Sequence, residues 1–97
     1  MTEDFEVQYE EADVNRVSGA VAGRVLEYLA RQIVDDPDSV VIDYENHRNR
    51  LDLRLHVAPD DMGKVIGKRG RVAQAIRTVV RAAGAREGVE ASVDIVD

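Results

Sequence analysis

Residues 63–71 read GKVIGKRGR. Three glycines, at positions 63, 67 and 70, stand among two β-branched apolar residues and four cations. Glycine weakens a helix interior and a strand interior alike, yet both flanks of this stretch carry helical spacing. Before it, Pro59 ends an extended segment and Asp60 is placed to cap a short helix whose apolar face is Met62, Val65 and Ile66, with Asp61 in its first turn suiting the helix dipole. After it, Val72, Ile76, Val79, Val80 and Ala83 recur at helical steps, which predicts a helix over 71–83 with Gly84 as its C-cap. Arg71, Gln74, Thr78 and Arg81 fall on the opposite side of that helix, with Arg77 beside them. Two helices therefore meet at Gly67-Lys68-Arg69-Gly70.

Glycine in such a corner lets the chain reverse within a few residues and lets another backbone come close. The second helix starts at the same place, so its unpaired N–H groups and positive dipole end face outward. Lys68 and Arg69 add mobile charge. Together these features make an anion cradle suited to a sugar-phosphate backbone, and the same glycine-rich corner also fits a plain turn between two helices. Two other phosphate motifs are excluded by spacing. A mononucleotide P-loop places four residues between its glycines, whereas Gly63 and Gly67 enclose only three, and Arg69 stands where the magnesium-binding hydroxyl belongs. The dinucleotide fingerprint follows a strand, whereas this stretch follows a helix.

Upstream, RLDLRLHV (residues 50–57 contain Arg50 and Leu51–Val57) alternates strictly: Leu51, Leu53, Leu55 and Val57 against Asp52, Arg54 and His56. That is period two, a half-buried strand. SVVIDYEN precedes it, with Val40, Ile42 and Tyr44 on one side, and the polar ENHRN between them predicts an antiparallel hairpin. Further upstream, Val14, Val17, Val21, Val25, Leu29 and Ile33 mark one helix face over about 14–34, firmest from residue 20 and capped at Asp13. That face packs on the sheet or, alternatively, serves a partner helix. Asp36 before Pro37 ends the helix. At the other end, Val89, Ala91, Val93 and Ile95 alternate with Glu90, Ser92 and Asp94 as a final strand. The order is α-β-β-α-α-β: an α+β, two-layer sandwich with helices on one face of a three-stranded sheet.

A chain of 97 residues is one domain. It has no cysteine, hence no disulfide framework and no thiolate metal site. No apolar run approaches the roughly 20 residues that span a bilayer, and the start MTEDFEVQYEE lacks the basic and apolar regions of a signal peptide. A cytoplasmic protein with no membrane association is expected. Residues 1–13 hold six acids and no base, and read as a mobile acidic arm with a short extended piece at Phe5, Val7 and Tyr9; residues 14–97 form the domain. The net charge of −6 comes entirely from that arm, because the remaining acids equal the 13 bases. Residues 62–86 carry seven bases and no acid. A phosphate responds to that local surface rather than to the whole-chain sum, although a solvated helix face has the same composition.

VIGKRGR, with Val65-Ile66 before G-x-x-G and a helix after it, resembles the KH RNA-binding signature. The element order is that of the type II KH fold. The run of helix, DDPDSV, hairpin, VAPDDMGKVIGKRGR, AIRTV, EG and last strand is similar to the small bacterial KH proteins of the KhpA (YlqC-like) family, over about residues 20–97. The bare G-x-x-G is weakly diagnostic; MGKVIGKRGR within this element order is strongly so. Residues 1–19 lie outside the resemblance, and the acidic arm is a departure from it. The resemblance implies a non-catalytic module for single-stranded RNA, in the manner of an RNA chaperone or post-transcriptional regulator. Gly67, Lys68, Arg69 and Gly70 would clamp about four nucleotides of backbone. Val65 and Ile66 would floor an apolar groove, Lys64, Arg71, Gln74 and Arg77 would flank it, and the final strand would be its far wall. The family also implies self-association as a homodimer and a larger RNA-binding partner of the KhpB (Jag/EloR-like) type. An assembly module with incidental RNA contact is the alternative.

The four aromatics are Phe5, Tyr9, Tyr28 and Tyr44, none beyond residue 60, so base discrimination by stacking is expected to be weak. His47 in the hairpin turn and His56 on the polar side of its strand have no carboxylate pair at ligand spacing in the sequence, so surface roles and no metal are expected. Asp60 and Asp61 are explained by capping. Ser18, Ser39 and Ser92 have no base placed with them, and no cofactor or catalytic residue is indicated.

Overall fold

The structure is a computed structural model and describes residues 19–97. It contains α1 (Ala20–Ile33), β1 (Val41–Asn46), β2 (Arg50–His56), the short α2 (Met62–Ile66), α3 (Arg71–Arg86) and β3 (Glu90–Ile95), with single 3₁₀ turns at Pro37–Ser39, Pro59–Asp61 and Lys68–Gly70. The α-β-β-α-α-β order is the one expected. The acidic arm, Asp13 and the valines at 14 and 17 lie outside the described residues.

The alternation of β2 decides its place. Leu51, Leu53 and Leu55 are fully buried on one face, and Asp52, Arg54 and His56 lie on the other. Burial of each leucine is worth about 1.5–3 kcal/mol, so the strand that owns all three takes the centre of the sheet, in the order β1-β2-β3. The ENHRN turn makes β1 antiparallel to β2, with Ile42 opposite Leu55 and Tyr44 opposite Leu53, and the N–H of His47 donates to the carbonyl of Arg50 at 2.8 Å to close it. The helical crossover through α2 and α3 makes β3 parallel to β2, with Leu51, Leu53 and Leu55 against Ala91, Val93 and Ile95. The alternation read for the last strand holds: Val89, Ala91 and Val93 are buried, and Glu90, Ser92 and Asp94 are exposed.

The inward face of α1 differs from the expected stripe. The buried residues are Ala22, Gly23, Leu26 and Ala30, while Val25 and Ile33 sit at the margin and Val21 is 40% exposed. The face is rotated toward its small residues because the helix lies close to the sheet. A Cβ on Gly23 would collide with the ring and hydroxyl of Tyr44 in β1. Hydrophobicity alone selected the valines, but available space selects alanine and glycine.

Helix α3 departs from expectation in the same way. Ala73, Ile76, Val80 and Gly84 are buried, Val72 and Ala83 are partly buried, and Val79 is exposed. Gly84 is not the C-cap. The helix runs on to Arg86, and the chain reverses at Gly88, φ 78°. Gly84 instead lets β3 approach, since a Cβ there would stand 2.9 Å from that of Ala91 and 3.2 Å from the carbonyl oxygen of Val89.

The capping roles expected for Asp60 and Asp61 are also corrected. Neither short helix there receives a side-chain cap. Asp61 is 2% exposed, and its carboxylate accepts the backbone N–H groups of Asp35 (3.1 Å) and Asp36 (3.0 Å). It fastens the segment after α1 to the start of α2, which fixes the base from which the GKRG corner projects.

Candidate functional site

The chain leaves α2 at Gly67 (φ 75°, ψ 173°), makes one 3₁₀ turn and enters α3. Gly70 is left-handed at φ 72°. Arg69 is left-handed too, at φ 60°, and is the one non-glycine with positive φ among the described residues. That conformation costs an L-residue about 1–2 kcal/mol, and such positions gather at functional sites. The glycine pattern attributed the reversal to glycines alone. In the fold Arg69 shares it, and the turn thrusts its side chain into solvent. The turn holds itself together, with the N–H of Gly70 donating to Gly67 (3.1 Å) and that of Arg71 to Lys68. Two N–H groups expected to await an anion are thus already engaged.

The two outer glycines of the turn differ. At Gly67 the missing side chain is the space occupied by Val72 of the same chain; at Gly70 the surroundings are open. Close approach by another backbone is therefore available at Gly70 and not at the Cβ side of Gly67. Gly63 lies inside α2, in open surroundings, and makes no turn.

Lys68, Arg69 and Arg71 are exposed and make no ion pair or side-chain hydrogen bond among the described residues. Lys64 is held by Asp35, Nζ to Oδ2 at 3.4 Å, an exposed pair of the kind worth 0–1 kcal/mol. Ile66 is 37% exposed beside the turn, but Val65 is 0% exposed. The groove-floor role given to Val65 is corrected: its helical position points it into the core with Leu26 and Ile76, so it supports the corner from beneath. Gln74 lies exposed one turn along α3 and accepts from Nη1 of Arg77 at 3.4 Å. Nε of Arg77 donates to the carbonyl oxygen of Val93 at 3.1 Å, tying α3 to the outer strand. Among the expected site residues, the structure thus joins Gln74 to Arg77, and Arg77 to β3.

Sequence reading missed two contributors. Asp61 looked like a cap and is the buried clip described above. Arg50, on β2, comes beside Arg77 and Arg81 only through the crossover. No local signal marks it.

The outer sheet face overturns one reading. His47 does have two carboxylates beside it: Nε2 is 3.3 Å from Asp52 and 3.9 Å from Glu45, because the hairpin register sets Glu45 opposite Asp52. These groups are spent on neighbours. Arg54 holds Glu45 at 3.1 Å, Arg50 holds Asp52 at 3.4 Å, and His56 pairs with Asp43 at 2.9 Å. The hydroxyl of Ser92 donates to Asp52 at 2.8 Å and, with Arg50 and His47, holds that carboxyl below its ordinary range. The hydroxyl of Ser39 donates to Asp36 at 2.7 Å. No helix among the described residues is long and apolar enough to cross a membrane.

Residues 23–95 match the family model for the KH domain of KhpA and KhpB. The chain belongs to this KH-domain family. It is 53% identical over 72 residues to the RNA-binding protein KhpA of Streptomyces coelicolor, covering 74% of this chain and 87% of that one. It is 47% identical over 78 residues to the protein of that name from Mycobacterium tuberculosis H37Rv (80% and 94%), and 45% over 74 residues to the one from Caldanaerobacter subterraneus (76% and 99%). The family assignment accounts for the type II KH order of elements.

Proposed function

We propose that this protein binds single-stranded RNA without catalysis, holding the sugar-phosphate backbone at the Gly67–Gly70 turn. One observation carries the reading: the turn projects Lys68 and Arg69, with Arg71 behind them, as exposed cations that no described residue neutralises. The naming of its relatives as RNA-binding proteins agrees with it. Gly70 admits a phosphate to the backbone, Lys68 and Arg69 embrace it, and Lys64, released from its weak pair with Asp35, joins them. Arg71, Gln74 and Arg77 flank the strand along α3, and Ile66 offers apolar contact to a base. A corner of this kind grips about four nucleotides. Backbone contacts position a strand without reading it, and residues 60–97 hold no aromatic platform. Affinity is therefore modest, weakly sequence-dependent and salt-sensitive, with a log–log slope of about 0.7 per phosphate neutralised. An RNA chaperone or post-transcriptional role suits such binding.

The test is the K68D/R69D double variant with a fluorescent single-stranded RNA, read by anisotropy at low salt. Affinity falls by more than about tenfold, since each lost phosphate contact also becomes a repulsion, while circular dichroism and Tm stay as in wild type. Unaltered binding removes the turn from the mechanism.

A second reading, assembly into a homodimer or with a KhpB-like partner, is favoured by an open groove of about 520 Å³ between the ends of α1 and α3, lined by Val21, Val25, Ala82 and Ala83. Light scattering across concentration tests it: a mass fixed at that of one chain rejects the homodimer.

A further inference from the structure

The hairpin brings three metal-ligating side chains to one point. Glu45 lies on β1, Asp52 on β2, and His47 in the turn between them. One donor atom from each residue lies within 4.8 Å of the other two. We infer that Glu45, His47 and Asp52 form a binding site for a divalent transition-metal ion of the zinc class. The inference stands apart from the RNA-binding reading, which uses none of these three residues.

The strand register makes the site. Antiparallel pairing sets Glu45 directly opposite Asp52. Two carboxylates in that relation repel and destabilise the pair, and a cation between them reverses the sign. The turn supplies the imidazole. The N–H of His47 donates to the carbonyl of Arg50 at 2.8 Å, which fixes the backbone of His47 at the end of the paired strands. Nε2 then stands 3.3 Å from Oδ2 of Asp52 and 3.9 Å from Oε2 of Glu45. Tetrahedral zinc, with bonds of about 2.0–2.2 Å, sets neighbouring donors about 3.4 Å apart. The histidine–aspartate separation already fits. The histidine–glutamate separation closes by about half an ångström, a small rotation for an exposed glutamate. Water takes the fourth position, as in other zinc sites with three protein ligands.

The carboxylate oxygens turned away from His47 are held by neighbours. Oε1 of Glu45 accepts from Arg54 at 3.1 Å, and Oδ1 of Asp52 accepts from the Ser92 hydroxyl at 2.8 Å. Hydrogen bonds of this kind aim ligating groups, and each is worth about 10–100-fold in metal affinity. Arg50 reaches both oxygens of Asp52, at 3.4 and 3.5 Å, and competes for Oδ2. The donor set selects the ion. Imidazole suits zinc, copper and nickel, whereas magnesium and calcium prefer oxygen ligands. His56 is the internal comparison: it pairs with Asp43 at 2.9 Å but belongs to no such group of three among the described residues.

The test titrates ZnCl2 into the chelator-treated full chain near neutral pH by isothermal calorimetry, with Tm in parallel. Wild type shows saturable binding, and its Tm rises with zinc because only the paired hairpin gathers the ligands. H47A and E45Q/D52N each bind zinc more than about tenfold more weakly, H56A binds as wild type, and about tenfold excess MgCl2 does not displace the ion. On the wild-type chain itself, nitrogen NMR shows zinc shifting Nε2 of His47 and leaving that of His56, a readout that needs no variant to fold. No saturable binding overturns the inference. So does wild-type affinity in H47A, which puts the ion on the six acids of residues 1–13. Equal losses in H47A and H56A, displacement by magnesium, or an unshifted His47 ring also overturn it.

Discussion

Gly67 lies directly against Val72: a Cβ built at residue 67 would stand 2.9 Å from the Val72 amide nitrogen and closer still to its side chain. Three residues on, Gly70 has the same left-handed sign of φ and nothing near it. One glycine of the G-x-x-G pair is therefore held by the protein's own packing, and the other remains open to a ligand.

Alanine separates the two. At Gly70 (ψ 14°) a left-handed alanine costs about 1–2 kcal/mol; Gly67 (ψ 173°) sits in the extended positive-φ region that is essentially glycine's own, where alanine costs about 1–3 kcal/mol, and overpacking against Val72 adds about 1–3 kcal/mol. G67A lowers unfolding stability in urea by about 3 kcal/mol and G70A by about 1–2 kcal/mol. Adding V72A to G67A recovers part of the overpacking loss. Equal destabilisation by the two single variants rejects the division of roles.

How far the sequence discloses this molecule depends on the range of the interaction. Alternation in Leu51–Leu55 and in Val89–Val93 identifies both inner strands, because strand orientation is set by neighbours two residues apart. The GKRG corner is legible for the same reason: its glycines and charges are adjacent in the chain. The inward faces of α1 and α3 are less legible. Gly23 and Gly84 face the sheet because Tyr44 and Ala91 need their space, and no local period records that. Asp61 reads as a cap since its true partners, Asp35 and Asp36, stand about two dozen residues away. Arg50 joins the side of α3 only through the parallel crossover.

Asp61 supports the corner from behind. Its carboxylate is the acceptor for two part-buried backbone N–H groups, and a hydrogen bond to a charged group contributes about 1.5–3 kcal/mol. D61A loses about 2–4 kcal/mol in urea unfolding, and D61N, which keeps one acceptor oxygen, loses about half as much. If D61A unfolds at the wild-type urea concentration, the clip contributes nothing.

Tyr44 gives the fold an alkaline limit. Partial burial against α1, reinforced by the charge of Glu27 and opposed by Arg24, pushes this half-exposed phenol above the ordinary 10.0. The native state therefore keeps a proton that the unfolded chain gives up. Stability from this group is complete below pH 10 and falls as pH rises from there through the native value. Ultraviolet titration of phenolate shows a late component that Y44F lacks, and Y44F has the shallower loss of Tm above pH 10. A Y44F titration that superimposes on wild type after correction for one phenol contradicts this.

Arg77 belongs both to the fold and to the proposed RNA track, and two substitutions divide those roles. Its Nε bond to the Val93 carbonyl joins α3 to an edge strand that has a neighbour only in β2. A hydrogen bond from a charged donor is worth about 1.5–3 kcal/mol when well shielded, and this half-buried one contributes about 1 kcal/mol. R77K keeps the charge but loses the fixed fork that holds Val93 and Gln74 together. R77A loses both. Expected behaviour is a similar fall in Tm for the two variants, with RNA affinity reduced several-fold more in R77A and its salt slope shallower by about 0.7. The separation follows from where each part of the side chain acts: Nε fastens the strand, and the net charge meets the phosphate. If R77K loses RNA binding as completely as R77A with both folded, orientation of the guanidinium rather than its charge governs the contact. If neither changes affinity, the strand bypasses this part of α3.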